Sequence, residues 1–273
     1  MTRTQLSLGF LLLTLTLTGP AWAQFTTAVA PARVEKLVNP GSKVEDVITF
    51  TNQGNAPVNV SISIVDFDVD DVGVVTELPP GMHPNTIAPY FRISPLRTVV
   101  GAGEQAHFRF SVQTPEAFEQ LRAFVYFESQ PVVEEEGGKQ VLFATAMGIP
   151  LYVENRKMER GMLTVHDVAW ERIDEDQHYV QLKLHVTNEG ERNIRPGGFL
   201  TIRSVDDRFL ETFDVNEAGD VVLPGHDRYL TMRFGPVPSN PLSLRLRFET
   251  SLRTNHQDDH ILPMLNPTEQ GER

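Results

Sequence analysis

The chain has 273 residues, of which 40% are hydrophobic and 22% are charged, and its formal net charge is −12. It contains no cysteine, which excludes disulfide bridges, cysteine-ligated zinc, iron–sulfur clusters and cysteine nucleophiles. The acidic balance argues against nucleic-acid binding, because neutralising phosphates requires a basic surface. The composition is typical of an acidic, soluble, folded protein.

Residues 1–23 have the pattern of a cleavable signal peptide. Arg3 supplies the positive charge, residues 6–18 are uncharged and rich in leucine, and Ala21-Trp22-Ala23 is a small-residue cleavage pattern. The apolar run is shorter than the ~18 residues that a spanning helix needs. We therefore expect an exported, soluble mature protein that begins at Gln24.

Two stretches of the sequence look like copies of one structural unit. A strand-like run ends in Thr-Asn-Gln-Gly at residues 51–54, and another ends in Thr-Asn-Glu-Gly at residues 187–190. Each is followed later by a glycine turn and a further strand, at residues 101–103 and at Pro224-Gly225. This order of elements indicates an internal repeat. We expect domains at residues 24–155 and 156–262, and a disordered tail at 263–273.

Hydrophobic residues alternate with polar ones along most of the chain, as half-buried β-strands require. The clearest sets are Val58, Val60, Ile62 and Ile64, and Leu182, Leu184 and Val186. Turn signals recur about every ten residues, which predicts an all-β protein of two immunoglobulin-like β-sandwiches in tandem. The one predicted helix is short, at residues 115–121.

Four segments follow one another in a distinctive order within residues 25–155. They are Phe91-Arg92-Ile93-Ser94-Pro95, Phe108-Arg109-Phe110-Ser111-Val112, the run from Gln120 to Phe127, and a long strand at 141–153. In this order they resemble the periplasmic pilus-assembly chaperones of the PapD-like family. The resemblance implies an L-shaped pair of immunoglobulin-like domains in the periplasm. It also implies a chaperone that donates a strand to secreted pilin-like or other β-sandwich subunits and delivers them to an outer-membrane usher-type assembly protein.

The family's donor strand falls on residues 141–149 of this chain. A donor strand must offer an apolar face and an open edge to its client. One face of the run is large and mostly apolar, and we expect it to bind the subunit and to be exposed in the free protein: Val141, Phe143, Thr145, Met147 and Ile149. The alternative is an ordinary core strand. Self-capping as a homodimer is a further possibility for the free form.

The resemblance also implies a cleft that holds the subunit's terminal carboxylate with an arginine and a lysine. Arg33 corresponds to the arginine, whereas the lysine position falls on Pro150. Arg156 or Lys157 could replace that lysine, although solvated linker charges explain both residues better. Where the family has an acidic and a basic residue near the junction, this chain has Arg122 and Glu154, with the charges exchanged. We expect these two side chains to form an interdomain salt bridge.

No metal site, cofactor or enzymatic activity is expected. Asp66, Asp68, Asp70 and Glu77 have some of the spacing of a calcium loop, but Asp71 stands where that loop needs glycine, so a strand leading into a hairpin is favoured. His256 and His260 would share a metal only on a helix. His166, His178 and His185 lie in or beside strands, and the sequence lacks hydrolase, metalloprotease and nucleotide-binding motifs. The alternative function is a structural cell-envelope protein, a spacer or adhesin component without a chaperone role.

Overall fold

The computed structural model describes residues 27–131, 144–173, 179–215, 219–238, 240–250 and 255–262. These residues form seventeen β-strands and one short 3-10 helix, Ala88–Tyr90, and the described part of the chain contains no α-helix. The predicted signal peptide, the predicted tail, Val141, Phe143 and His178 lie outside the described residues.

Ten strands form the first sandwich. They are β1 (Thr27–Ala30), β2 (Val34–Val38), β3 (Lys43–Asn52), β4 (Val58–Val69), β5 (Val75–Leu78), β6 (Phe91–Ser94), β7 (Arg97–Val100), β8 (Gln105–Gln113), β9 (Gln120–Pro131) and β10 (Thr145–Asn155). One sheet has the order β1-β3-β8-β6, and the other has the order β2-β10-β9-β4-β5, with β7 paired to β4.

Seven strands form the second sandwich. They are β11 (Leu163–Ile173), β12 (Tyr179–Asn188), β13 (Gly198–Ser204), β14 (Phe209–Asp214), β15 (Asp227–Phe234), β16 (Leu242–Glu249) and β17 (Asn255–Leu262). Their sheets have the orders β11-β12-β15 and β14-β13-β16-β17.

Each sandwich has its own hydrophobic core. In the first, the rings of Phe108 and Phe127 meet edge to face with centroids 5.1 Å apart. In the second, Leu182 and Leu246 are fully buried. The predicted alternation is confirmed, since Val58 and Val60 are buried and Ile62 and Ile64 pack against the first core. The all-β class and the tandem β-sandwiches are therefore confirmed.

The predicted boundary falls in the connection between the sandwiches. Strand β10 ends at Asn155 and β11 begins at Leu163. We propose this connection as the domain boundary.

The helix predicted at residues 115–121 is wrong. Gln120 and Leu121 already belong to β9, and the residues before them are irregular. The backbone there is held by Asn155, whose Nδ2 donates to the Phe118 carbonyl at 2.7 Å and whose backbone N–H donates to the Glu119 carbonyl at 3.0 Å. These tertiary bonds replace the local bonds that a helix would need.

Candidate functional site

Strand β10 has one edge that is only half paired. Along its inner edge, β9 pairs antiparallel from Thr145 to Glu154. Along its outer edge, β2 pairs in parallel only from Leu151 to Asn155. Among the described residues, no strand pairs with the outer edge between Thr145 and Pro150. Within the described ranges, six consecutive residues therefore have an outer edge without a partner strand, and we call this the open edge of β10.

Pro150 lies where this edge changes from open to paired. The backbone N–H of Asn155 donates toward β9, to Glu119, whereas that of Arg156 donates toward β2, to Val38. Because successive residues of a strand point their N–H groups to opposite edges, the N–H groups of Ala146 and Gly148 point to the open edge. Pro150 has the same orientation but no N–H, so it offers β2 no donor.

The chain changes from one sheet to the other just before β2. Strand β1 pairs with β3 in one sheet, and β2 pairs with β10 in the other. The chain therefore changes sheets at residues 31–33, beside the point where the open edge begins.

The side chains of β10 correct one expectation. Thr145, Met147 and Ile149 share a face, but this face points toward the first core, and Ile149 is only 5% exposed. Met147 packs against the same core, and the Thr145 hydroxyl is hydrogen-bonded to that of Ser129 at 2.6 Å. The prediction of an exposed face is wrong at Ile149, because the strand closes the sandwich there and its large side chains fill the core.

On the opposite face of β10, the residues along the open edge are small, and one aromatic ring lies against Gly148. A Cβ atom on Gly148 would lie 2.9 Å from Cε1 and Cζ of Tyr126, so the ring lies against the bare backbone. The Tyr126 hydroxyl donates to the Glu77 carboxylate. Burial, reinforced by this bond, raises the pKa of Tyr126 to about 12.

The predicted salt bridge between Arg122 and Glu154 is not formed. The register places Arg122 opposite Tyr152 and Gln120 opposite Glu154, so the two charges lie diagonally on one face. Arg122 reaches across to β4 instead, where its Nη2 donates to Asp68 Oδ1 at 2.9 Å.

Further bonds fix Arg122 within the first sandwich, beside Phe67. Its Nε donates to the Phe67 carbonyl at 3.2 Å and its Nη1 to Gln120 Oε1 at 3.1 Å. The residue is 2% exposed, and burial lowers the pKa of its guanidinium.

Glu154 contributes to the junction through a different partner. Its Oε1 accepts a hydrogen bond from the backbone N–H of Asn193, in the second sandwich, at 2.6 Å. Burial raises the pKa of Glu154, and the Asn193 bond opposes this effect. Gln120 lies beside it and donates to the Asn193 side chain at 2.6 Å.

A small apolar cluster joins the two sandwiches. Phe67 and Tyr152 from the first sandwich pack with Leu223 from the second, and all three are buried. The rings of Phe67 and Tyr152 meet edge to face at 5.9 Å. Nearby, the backbone N–H of Tyr229 on β15 donates to the Asp71 carbonyl at 2.6 Å. The β4–β5 hairpin thus extends onto the second sandwich.

Two arginines lie beside β2 and contact Glu35. Arg33 is exposed, lies 3.9 Å from Glu35, and approaches Gly219 of the second sandwich. Arg195, which the sequence did not indicate, donates to Glu35 at 2.5 Å and lies over the Tyr152 ring at 5.7 Å. Pro150 lies on the same face of β10 as Tyr152. No local pattern around Arg195 could have identified it, because its neighbours here come from distant strands.

The four carboxylates of the possible calcium loop are engaged separately. Asp66 is buried and accepts from the His83 backbone N–H and the Thr86 hydroxyl, while Asp70 accepts from the N–H groups of Val72 and Val74 in the hairpin turn. Asp68 pairs with Arg122 and Glu77 with Tyr126. The strand leading into a hairpin is confirmed by β4 and β5.

The histidines that were considered as metal ligands or catalytic residues also have structural contacts. His256 and His260 lie on β17, where His260 stacks near Trp170 and the indole N–H of Trp170 donates to Asp258 at 2.7 Å. His166 contacts Thr187, and His185 stacks on Tyr229 at 4.4 Å. In the parts of the chain that the structure describes, no three histidine or carboxylate side chains are grouped to hold a metal ion.

No helix in the described ranges is long and apolar enough to span a membrane.

No family model matches this chain, and no curated protein matches it. Several solved structures resemble it. In the complex of the Salmonella enterica SafA pilin with the SafB chaperone, the match is 15% identical, covers 89% of this chain and 99% of that chain, and has a TM-score of 0.46. In the CsuC–CsuE chaperone and tip adhesion subunit complex of Acinetobacter baumannii, the match is 12% identical and has a TM-score of 0.43. It covers 75% of this chain and 89% of that chain. A PapD-like domain of human CEP192 is 16% identical over 56% of this chain and 97% of that domain, with a TM-score of 0.34. Likeness at these levels does not assign a function to this chain.

Proposed function

We propose that this protein is a periplasmic chaperone that caps secreted pilin-like or other β-sandwich subunits by donating strand β10 to them. The observation that carries the proposal is the open outer edge of β10 from Thr145 to Pro150. An exposed strand edge is a template for pairing with another chain, and proteins without a partner for it normally cover it. The sequence resemblance to the pilus-assembly chaperones supports the same assignment.

Main-chain hydrogen bonds would provide much of the affinity. Ala146 and Gly148 point their N–H groups to the open edge, and adding a client strand there would satisfy them. The proposed subunit-binding residues are Val141, Phe143, Thr145, Met147 and Ile149. Because Ile149 is buried in the chaperone's own core, the side-chain contribution to a client would come from the residues that precede it.

Arg33 is proposed as the anchor for the client's terminal carboxylate. It is exposed and directly precedes β2, whose first residue pairs with Leu151 next to the open edge of β10. Pro150 cannot supply the second cation. Arg195 is the neighbouring cation on this side of the cleft, although Glu35 already accepts a bond from it.

The further partners follow from the same proposal. Delivery of the capped subunit would require an outer-membrane usher-type protein, and the free protein could cover its edge by pairing with a second copy. The mature protein would act in the periplasm after export. Strand exchange needs no nucleotide, cofactor or catalytic residue, so we propose no enzymatic activity.

Replacing Ala146 with proline tests the role of the edge directly. This change removes an N–H that points away from β9, so the first sandwich should keep its own ladder. Ala146→Val keeps the N–H and is the matched control. We expect both variants to fold, and only Ala146→Pro to lose a one-to-one complex with a β-rich secreted subunit in periplasmic extracts.

A structural cell-envelope protein is the second candidate. The burial of Ile149 and the partial burial of Met147 favour it, since an ordinary core strand has this pattern. The chaperone proposal is wrong if the wild-type protein elutes alone from native extracts. It is also wrong if Ala146→Pro binds the same subunit as Ala146→Val does. Either result would favour the structural cell-envelope protein.

A further inference from the structure

The outer face of one sheet in the first sandwich carries an excess of positive charge. This sheet contains β3, β8 and β6, whose side chains alternate between the core and solvent. The formally charged side chains on its outer face are three cations and one carboxylate: Lys43, Arg92, Arg109 and Glu45. Because the whole chain has a formal charge of −12, this face is a local exception.

A groove of about 540 Å³ lies on this face, and two arginines and two serines are among the residues that line it. The register of β6 and β8 places Arg92 opposite Ser111 and Arg109 opposite Ser94. The two arginines are therefore diagonal neighbours on adjacent strands, at a separation of about 7–8 Å. Each arginine has a hydroxyl group directly across the ladder from it.

The acidic side chains beside the groove already have partners. Glu45 forms an ion pair with Lys43 on the same strand, and this bond lowers the pKa of Glu45. Asp46 pairs with Lys36 of β2 at 2.5 Å, and this bond lowers the pKa of Asp46. Both carboxylates are therefore ionised and bound to lysines, so neither neutralises the two arginines.

The arginines and serines of the groove keep hydrogen-bond donors available. Arg92 Nη1 donates to the carbonyls of Phe91 at 2.7 Å and of Pro89 at 3.3 Å, which fixes the position of its guanidinium. Within the described residues, its Nε and Nη2 have no partner, and neither does the Arg109 guanidinium. The hydroxyls of Ser94 and Ser111 are also without a partner in that part of the chain. A guanidinium with a free edge binds a carboxylate through two parallel hydrogen bonds.

We propose that this groove binds an extended acidic segment of a partner protein, one that carries two carboxylate side chains two residues apart. Side chains at positions i and i+2 of an extended chain point to the same side and are about 6.8 Å apart. This spacing is close to the diagonal separation of Arg92 and Arg109, so each carboxylate meets one guanidinium. Val47, opposite Arg109 and partly exposed, adds an apolar contact for the peptide.

The groove and the open edge of β10 belong to different sheets. This site is therefore independent of the proposed chaperone role, and a variant of one site should leave the other intact.

Fluorescence anisotropy with short peptides tests the site in the full-length mature protein. The probe is a capped Thr-Glu-Thr-Glu-Thr peptide with a neutral fluorophore. Thr-Gln-Thr-Gln-Thr lacks the charges and should not bind. Thr-Thr-Glu-Glu-Thr has the same composition as the probe but points its carboxylates to opposite sides, so it should bind about fivefold more weakly. Added salt should weaken binding of the probe, because it screens exposed charges.

Four variants assign the binding to the groove. Arg92→Gln and Arg109→Gln should each weaken binding of the probe about fivefold, as expected for one exposed ion pair. Arg97→Gln removes the same charge at an exposed position of the other sheet and should bind as the wild type does. Ala146→Pro should also bind the probe normally, since it changes only the open edge of β10. Circular dichroism checks that each variant is folded.

The proposal is refuted if the probe does not bind or if its adjacent-glutamate isomer binds equally well. It is also refuted if Arg97→Gln weakens binding as much as Arg109→Gln does, or if Ala146→Pro abolishes binding, which would place the peptide at the open edge of β10. Vesicles that contain anionic phosphatidylglycerol provide the last comparison. If the vesicles bind through both groove arginines and the probe does not, the site recognises a membrane surface and the peptide proposal is wrong.

Discussion

Asn52 and Asn188 occupy equivalent positions in the two sandwiches, one at the end of β3 and the other at the end of β12. Both are buried, and the Oδ1 of each accepts the backbone N–H two residues later, from Gly54 and from Gly190, at 3.0 Å. The Nδ2 group of Asn52 donates to the carbonyl of Ala56, four residues later, and to the carbonyls of Val100 and Gly101 in a distant turn. The Nδ2 group of Asn188 likewise donates to the carbonyl of Arg192, four residues later, and to that of Val222.

The backbone repeats the same arrangement. The N–H of Asn52 donates to the Glu104 carbonyl at 3.0 Å, and that of Asn188 donates to the His226 carbonyl at 3.1 Å. Glu104 and His226 are therefore equivalent, four residues after Val100 and Val222. The turns at residues 101–104 and 223–226 differ in sequence. In the second sandwich, Leu223 and His226 of this turn contact the first sandwich.

Replacing either asparagine with alanine should destabilise the sandwich that contains it. Asn52→Ala or Asn188→Ala leaves buried carbonyls without a donor, which costs about 2–3 kcal/mol. Urea unfolding of each variant measures the change. Gln53→Ala and Glu189→Ala, at the exposed neighbouring positions, are the controls and should stay within about 0.5 kcal/mol of the wild type. Equal effects from the asparagine and control variants would show that the motif is not a structural anchor.

A methyl group on Gly148 should destabilise the first sandwich through Tyr126. The added Cβ would lie 2.9 Å from two ring atoms, so the ring must move and weaken its bond to Glu77. We expect Gly148→Ala to cost about 1–2 kcal/mol, in the range of overpacked sites. A double-mutant cycle with Tyr126→Ala measures the coupling, because the cost should vanish when the ring is absent. If Gly148→Ala lowers the stability equally in the Tyr126→Ala background, the loss does not come from a clash with the Tyr126 ring.

The alternation of apolar residues and the repeated Thr-Asn-x-Gly turn were enough to predict the class of fold and its duplication. Both signals are local. A strand is recognised from the two-residue period of its side chains, and each asparagine side chain bonds residues two and four positions later in the chain. The last strand of the second sandwich is different. Residues 255–262 are mostly polar and have no strand pattern of their own, yet they form β17, because pairing with β16 overrides their weak strand propensity.

The junction could not be predicted because it depends on strand register. Arg122 and Glu154 were predicted to pair, but the register places them on a diagonal and each has another partner, Asp68 for Arg122 and the Asn193 N–H for Glu154. Arg195 had no local signal at all, since its partners Glu35 and Tyr152 lie on strands distant in sequence. The open edge of β10 likewise depends on where β2 stops pairing, which no periodicity reveals.

Removing Arg122 should destabilise the protein strongly. Arg122→Met leaves the Phe67 carbonyl, Gln120 and Asp68 without their donor, and breaking such a buried network costs about 3 kcal/mol or more. Arg109→Met, at an exposed position of β8, is the control and should be nearly neutral. Thermal unfolding checks both. A loss for Arg122→Met no larger than for Arg109→Met would contradict the role assigned to this side chain.

Neutralising Glu154 should stabilise the protein at neutral pH. Burial raises the pKa of Glu154, so the folded form binds this proton more tightly than the unfolded form does. Stability from this group is therefore present below its unfolded pKa and is lost as the pH rises through the folded one. Glu154→Gln keeps an oxygen that can accept from the Asn193 N–H but carries no charge.

We accordingly expect Glu154→Gln to unfold at a higher temperature than the wild type at about pH 7 and at the same temperature at about pH 4, where the wild-type carboxyl is protonated. Glu119→Gln, at an exposed position just before β9, is the control for a general charge effect, because this acidic chain gains from losing any negative charge. At about pH 7, we expect the rise in unfolding temperature to be larger for Glu154→Gln than for Glu119→Gln. A lower unfolding temperature for Glu154→Gln at about pH 7 would mean that attraction between the carboxylate and Arg192 outweighs the cost of burying the charge, which reverses the sign argued from burial.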